Sequence, residues 1–92
     1  MEAAIQSKVV RFARENRVIA RKLSFGEGWP DYLFLYSGTV LFIEFKSPGA
    51  KPEPLQRHII GLLRAAGFQV EVVDNVVNGK AIIRRFIDAD SN

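Results

Sequence analysis

Three charged residues near the middle of the sequence have the types and spacing from which a hydrolytic site could be built: Asp31, Glu44 and Lys46. Between the two acids lie two apolar, β-rich runs, Tyr32-Leu33-Phe34-Leu35-Tyr36 and Thr39-Val40-Leu41-Phe42-Ile43, separated by Ser37-Gly38. That pattern predicts a β-hairpin turning at the dipeptide. With Tyr36 opposite Thr39, the ladder continues through Leu35 with Val40 and Phe34 with Leu41, and Asp31 comes to face Glu44. An even-length turn keeps this pairing, whereas an odd turn or a bulge would carry one carboxylate to the other face. Directly opposed residues have Cβ atoms roughly 4.5–5.5 Å apart, so two like charges placed there repel unless something positive sits between them. Side chains alternate along a strand, so Glu44 and Lys46 point the same way. Two carboxylates and an amine therefore converge. Mg²⁺ takes hard oxygen ligands and keeps waters or phosphate oxygens in its remaining positions, which suits this set. A water activated by such an ion beside an ammonium group can cleave a phosphodiester. The competing role is structural, with Lys46 neutralising Glu44 or Asp31 as an ion pair.

The flanking segments must position these groups. From Glu2 to Asn16, Ile5, Val9, Phe12 and Ala13 recur at near-helical spacing with Lys8, Arg11 and Arg14 on other faces, which predicts an amphipathic helix. Arg17 to Phe25 reads as a first strand, Val18, Ala20 and Lys22 alternating with Ile19, Arg21 and Leu23. Arg21 and Lys22 are adjacent, so at most one of them faces a substrate groove. Gly26-Glu27-Gly28-Trp29-Pro30 is a flexible entry to the hairpin, and Trp29 could either stack on a base or sugar or anchor a core. In the hairpin, Leu33, Leu35, Val40 and Phe42 share the face of Asp31 and Glu44, while Tyr32, Phe34, Leu41, Ile43 and Phe45 take the other. Both faces are apolar, which calls for helices on both sides of the sheet.

After the strand, Ser47 to Pro54 leads into a helix whose apolar stripe is Leu55, Ile59, Leu62, Leu63 and Ala66, with Gly67 as its stop. Gln69 to Asp74 is a short fourth strand, joined to the third by a parallel, right-handed crossover. Asn75 or Asn78 caps a last helix running to about Ala89, and the tail from Asp88 to Asn92 is expected to fray. The order is α-β-β-β-α-β-α, an α/β sandwich around a mixed sheet.

A chain of 92 residues, 48% of them hydrophobic, makes one small domain, and association into a dimer would supplement its modest core. It has no cysteine, which excludes a disulfide framework and a zinc finger. No secretory signal pattern is visible and no apolar run approaches the ~20 residues of a membrane span, so a cytoplasmic location is the default expectation. A net charge of +3 favours a polyanionic partner.

Pro30-Asp31 followed by Glu44-Phe45-Lys46 resembles the PD…(D/E)xK signature of restriction-endonuclease-like nucleases. Glu2-Ala-Ala-Ile5-Gln6, Gly28-Trp-Pro30-Asp31, Ser47-Pro48-Gly49, and Pro54-Leu-Gln56 ahead of Leu62-Leu63 and Gly67-Phe68-x-Val70 extend the likeness. In order and spacing, nearly the whole chain is similar to the VRR-NUC (virus-type replication-repair nuclease) domain in a single stand-alone form spanning residues 1–92. The resemblance implies a restriction-endonuclease-like αβββαβ(α) fold. It implies that Asp31 and Glu44, with Glu2 and the backbone carbonyl of Phe45, hold one or two Mg²⁺ or Mn²⁺ ions. Lys46 would polarise the attacking water or stabilise the pentacovalent phosphate, and Gln56 would orient Lys46 or the water. Position alone would make Glu2 a helix-start acid favoured by the macrodipole and Gln56 an inert surface residue.

Lys51, Arg57, His58 and Arg64 could meet phosphates, Lys51 best placed because its loop adjoins the site, and Trp29 is the stacking candidate. His58, the single histidine, could serve as a catalytic base, but the reading its position favours is a solvated helix face. The implied activity is a metal-dependent DNA endonuclease, selective for branched DNA such as four-way (Holliday) junctions. It would act as a homodimer encoded by a phage or mobile element in a bacterial host, with no membrane and no small-molecule cofactor involved. A flap or non-specific nuclease is the alternative activity, and a DNA-binding module with a vestigial site is the alternative class. Joint retention of Asp31, Glu44, Lys46 and Gln56 argues against a vestigial site.

Overall fold

In a computed structural model, residues 1–24 and 26–89 are described. Phe25, the expected end of the first strand, and tail residues 90–92 lie outside the described residues. The elements are α1 (Glu2–Glu15), β1 (Ile19–Lys22), β2 (Tyr32–Tyr36), β3 (Thr39–Phe45), α2 (Pro54–Ala65), β4 (Gln69–Val73) and α3 (Val76–Asp88). The four strands form one sheet in the order β1-β2-β3-β4, antiparallel except for the β3–β4 pair, which the α2 crossover makes parallel.

The hairpin has the register that its two apolar runs predict, from Tyr36 opposite Thr39 to Tyr32 opposite Ile43. Its two-residue turn places Ser37 at φ 50° and Gly38 at φ 80°, both left-handed, the twist that lets two strands close without splaying. A Cβ at Gly38 would meet nothing, so backbone conformation and not space calls for glycine there. The first strand is shorter than the sequence suggests. Arg17, at φ 67°, forms the corner that ends α1, and the N–H of Val18 still bonds back to the Ala13 carbonyl, so the extended run starts only at Ile19.

The sheet is covered unequally. Under α1 and α3, Phe34, Leu41, Ile43 and Phe45 are fully buried against Val9, Ala13, Ile83 and Phe86. The two helices can approach closely because α3 carries Gly79, where a Cβ would collide with Val9. Asn75 starts α3 by accepting the N–H of Asn78 on its side chain, which satisfies one of the orphan donors of the first turn. On the other face, α2 packs against β4 and buries Ile60 and Leu63 on Phe42 and Val70.

The stripe expected on α2 is rotated. Ile60, outside the expected stripe, is buried with Leu63, while Leu55 and Leu62 are 46% and 55% exposed. A helix placed over β3 and β4 must turn Ile60 and Leu63 inward, which leaves Leu55 and Ile59 on the flank that meets Gly28 in the β1–β2 connection. The β1–β2 half of this face is left largely uncovered, with Leu33 and Leu35 half-buried and Ile19 exposed. No helix among the described residues is long and apolar enough to cross a membrane.

Candidate active site

The start of β2 and the end of β3 bring the two acids together. Asp31 is held from both sides: its carbonyl accepts the N–H of Leu23, extending the β1–β2 ladder, and its Oδ2 accepts the N–H of Phe45 at 2.8 Å. Continuing the hairpin register by one step puts Asp31 opposite Glu44. The parallel ladder carries on past β3, where the Lys46 N–H donates to the Val73 carbonyl, so Lys46 keeps the strand alternation and its side chain lies on the Glu44 side.

Glu44 is the one buried charged residue among those described, at 2% exposure. Its Oε2 accepts a hydrogen bond from Gln56 Nε2 at 2.6 Å and lies 3.5 Å from Lys46 Nζ. Its Oε1 is buried and has no hydrogen-bond partner among the described residues. Gln56 is oriented by the helix start it belongs to. Its Oε1 accepts the N–H of Glu53, the residue before α2, at 2.8 Å, so its amide nitrogen is the end left to point at Glu44. Pro54 at the first helical position, whose missing N–H would go unused there, fixes that helix start.

Burial pushes the Glu44 carboxyl up from its ordinary 4.5 to about 7, the nearby Asp31 charge pushes the same way, and Lys46 opposes both without cancelling them. A buried carboxylate that is short of positive charge and has an oxygen without a partner among the described residues can accept a cation. The oxygens of Asp31 and Glu44 and the backbone carbonyl of Phe45 are the hard donors that Mg²⁺ or Mn²⁺ takes, and the orphaned Oε1 is the observation that makes the fit specific. Among the described residues no third acid or histidine joins this pair. Glu2 is exposed in the first turn of α1. That turn does reach the same end of the sheet, since Met1, Ala4 and Ile5 share a cleft with Pro48, Asp74 and Asn75.

Asp31, Glu44, Lys46 and Gln56 are thus brought together, and the remaining candidates surround them. Lys51 is exposed on the β3–α2 loop. That loop is tied down by Asp74, whose Oδ2 accepts the Gly49 N–H at 3.0 Å. The Gly49 bond, followed by the Asn75 amide and in smaller part Lys51, holds the Asp74 carboxyl below its usual range. Asp74 is the positioning residue that the sequence reading missed; an acid at a strand end directly before the Asn75 cap was the available signal. Arg57 is exposed and donates to the Pro52 carbonyl at 2.9 Å, stiffening the same loop. Trp29 is 38% exposed and sets its ring 6.2 Å from Phe42, edge to face. His58 is exposed on α2. Of the adjacent pair on β1, Arg21 lies opposite Leu33 and so on the Glu44 face, whereas Lys22 lies opposite Tyr32 on the other.

No model of a known protein family matches the sequence. Over 77 residues the chain is 40% identical to p44 of Acyrthosiphon pisum secondary endosymbiont phage 1, a protein designated a candidate nuclease, covering 80% of this chain and 83% of that one. A solved structure described as a VRR_NUC domain superimposes with a TM-score of 0.83 at 28% identity, covering 92% of this chain and 96% of the other.

Proposed function

The chain belongs to the VRR-NUC family of nucleases, and from that premise we propose that it is a metal-dependent DNA endonuclease, selective for branched DNA such as four-way junctions and active as a homodimer. The observation that carries the chemistry is Glu44 Oε1, a buried carboxylate oxygen with no partner among the described residues, beside Asp31 and Lys46.

Asp31, Glu44 and the Phe45 carbonyl would hold one or two Mg²⁺ or Mn²⁺ ions, with Glu2 reaching in from the first turn of α1. When bound, the metal supplies a more acidic water and neutralises charge on the phosphate oxygens. The chain's own groups do the rest. The Phe45 N–H fixes one Asp31 oxygen, leaving the other free to turn toward the site. Gln56 and Lys46 both address Oε2 of Glu44, so Oε1 is the oxygen that would be available to a cation. Lys46, anchored by that ion pair, presents its ammonium to the water or to the charge gathering on the phosphate as the bond breaks. Lys51 and Arg57 would meet flanking phosphates and Trp29 would stack against a base or sugar.

Dimerisation is supported by apolar side chains left exposed on separate elements, Ile19 on β1, Leu55 and Leu62 on α2 and Phe68 just before β4, together with half-buried Leu33 and Leu35 on β2. Two active sites related by a two-fold axis would suit paired cuts in a symmetric junction. The phage origin of the p44 relative supports action in the cytoplasm of a bacterial host.

The test is cleavage of a labelled four-way junction beside matched duplex and flap DNA, with Mg²⁺ or Mn²⁺, for wild type, Asp31→Ala and Lys46→Ala. Symmetric junction cuts that both substitutions abolish are the expected result. Equal cutting of all three substrates would discard junction selectivity and leave a flap or non-specific nuclease. DNA binding without cutting under either metal would overturn the nuclease reading.

A further inference from the structure

The outer surface of α1 and α3, on the opposite side of the sheet from Glu44, carries a second concentration of charge. Lys8, Arg11, Phe12, Glu15 and Lys80 line a cleft of about 250 Å³ between the two helices. Phe12 forms its floor: Lys80 Nζ lies 5.3 Å and Arg84 Cζ 5.0 Å from the centroid of its ring. The close approach that Gly79 allows against Val9 is what sets these α3 cations beside those of α1.

Four cations against Glu15 leave a formal charge of +3, as much as the whole chain carries. Among the described residues none of the four has a carboxylate within 4 Å; the ion pair found there is Lys46 with Glu44. Like charges one helical turn apart, as Lys80 and Arg84 are, repel each other. The ring of Phe12 nevertheless holds both heads in place, which prearranges them for an external anion. The cleft is also within reach of the site. α1 starts beside Pro48 and Asp74 at the Lys46 end of the sheet, and Lys8 follows about 10 Å along the helix, roughly three base-pair steps of duplex.

We propose that this α1–α3 cleft is a second DNA-backbone site that takes consecutive phosphates of the arm extending from the cut. That the anion is DNA rests on the nuclease reading above; that the cleft takes a polyanion rests on its own charge and geometry. Phosphates bound here would add affinity and orientation without reading sequence.

The experiment measures binding of the full chain to labelled duplex in chelator, where nothing is cut, across a salt series. Wild type is compared with Lys80→Gln/Arg84→Gln and with the charge-keeping Lys80→Arg/Arg84→Lys, each first shown to melt as wild type does. The neutral pair should flatten the plot of log affinity against log salt by about 2, roughly 1 for each phosphate no longer neutralised, and the charge-keeping pair should restore it. In cleavage assays the neutral pair should raise KM and leave kcat unchanged. A wild-type slope and affinity in the neutral pair would overturn the proposal, as would loss of binding to acidic phospholipid vesicles with duplex binding intact. If wild type binds duplex through the cleft yet cuts no DNA under either metal, the nuclease reading fails and the cleft proposal stands.

Discussion

The two faces of the sheet are made by the same strands and finished differently. Beneath α1 and α3 the side chains of Phe34, Leu41, Ile43 and Phe45 are wholly excluded from solvent. Beneath α2 the cover stops halfway, Leu33, Leu35 and Val40 stay half-buried, and the same β3 that buries Phe45 on one side presents Glu44 on the other. The contrast separates two jobs. The sealed face supplies burial free energy and rigidity, and the half-open face can hold a carboxylate that would be ruinously placed in the sealed one. Stability and chemistry therefore sit back to back across the thickness of one sheet.

Substitutions that strike one face and spare the other test this division. The largest effect is expected from Phe34→Ala, which opens a cavity in the sealed face and should cost about 3–5 kcal/mol in urea unfolding, while the protein that remains folded keeps its kcat. An equal loss of kcat per folded molecule would show that the faces are not separable. Lys46→Ala should do the reverse, lowering cleavage by roughly 10²–10³-fold with little change in the urea midpoint.

Glu44→Gln should sharpen the comparison through pH. The folded carboxyl titrates near 7 against an ordinary 4.5, so the unfolded chain releases this proton first. Metal-free stability should then fall as pH rises from about 4.5 to 7 and level off above, a loss on the order of 3 kcal/mol. Glu44→Gln should abolish that slope, leave the metal-free protein more stable than wild type at pH 8, and remove the stabilisation that Mg²⁺ gives to wild type. A pH profile unchanged by the substitution would mean that Glu44 carries no such burden. The smallest effect on the monomer is expected on the exposed flank of α2. Leu62→Ser should change chemical stability by no more than about 0.5 kcal/mol, yet shift sedimentation from dimer to monomer if that flank pairs with a second copy.

Much of the site was legible from residues close together in the chain. Ser37-Gly38 with alternating apolar runs on each side specified the hairpin, and the hairpin specified that Asp31 and Glu44 stand opposite each other, because a strand offers only two faces and a tight turn leaves no freedom in register. A cap at Asn75 or Asn78 and the positions of all seven elements followed from equally local patterns, and the structure gives the cap to Asn75. The family likeness pointed to Gln56, but nothing nearby in sequence could say that its amide reaches Glu44, because that hydrogen bond forms only after the crossover brings the start of α2 over the end of β3.

Tertiary packing alone decided several further points: that α2 buries Ile60 and leaves Leu55 and Leu62 outside, that Arg21 and not Lys22 shares the face of Glu44, that Asp74 ties down the Lys51 loop, and that Lys8 and Arg11 meet Lys80 and Arg84 around Phe12. The physical reason is common to them. Periodicity tells which residues share a face, but the rotation of a helix and the half of a sheet it covers are set by how whole surfaces fit together, and that fit belongs to no single segment.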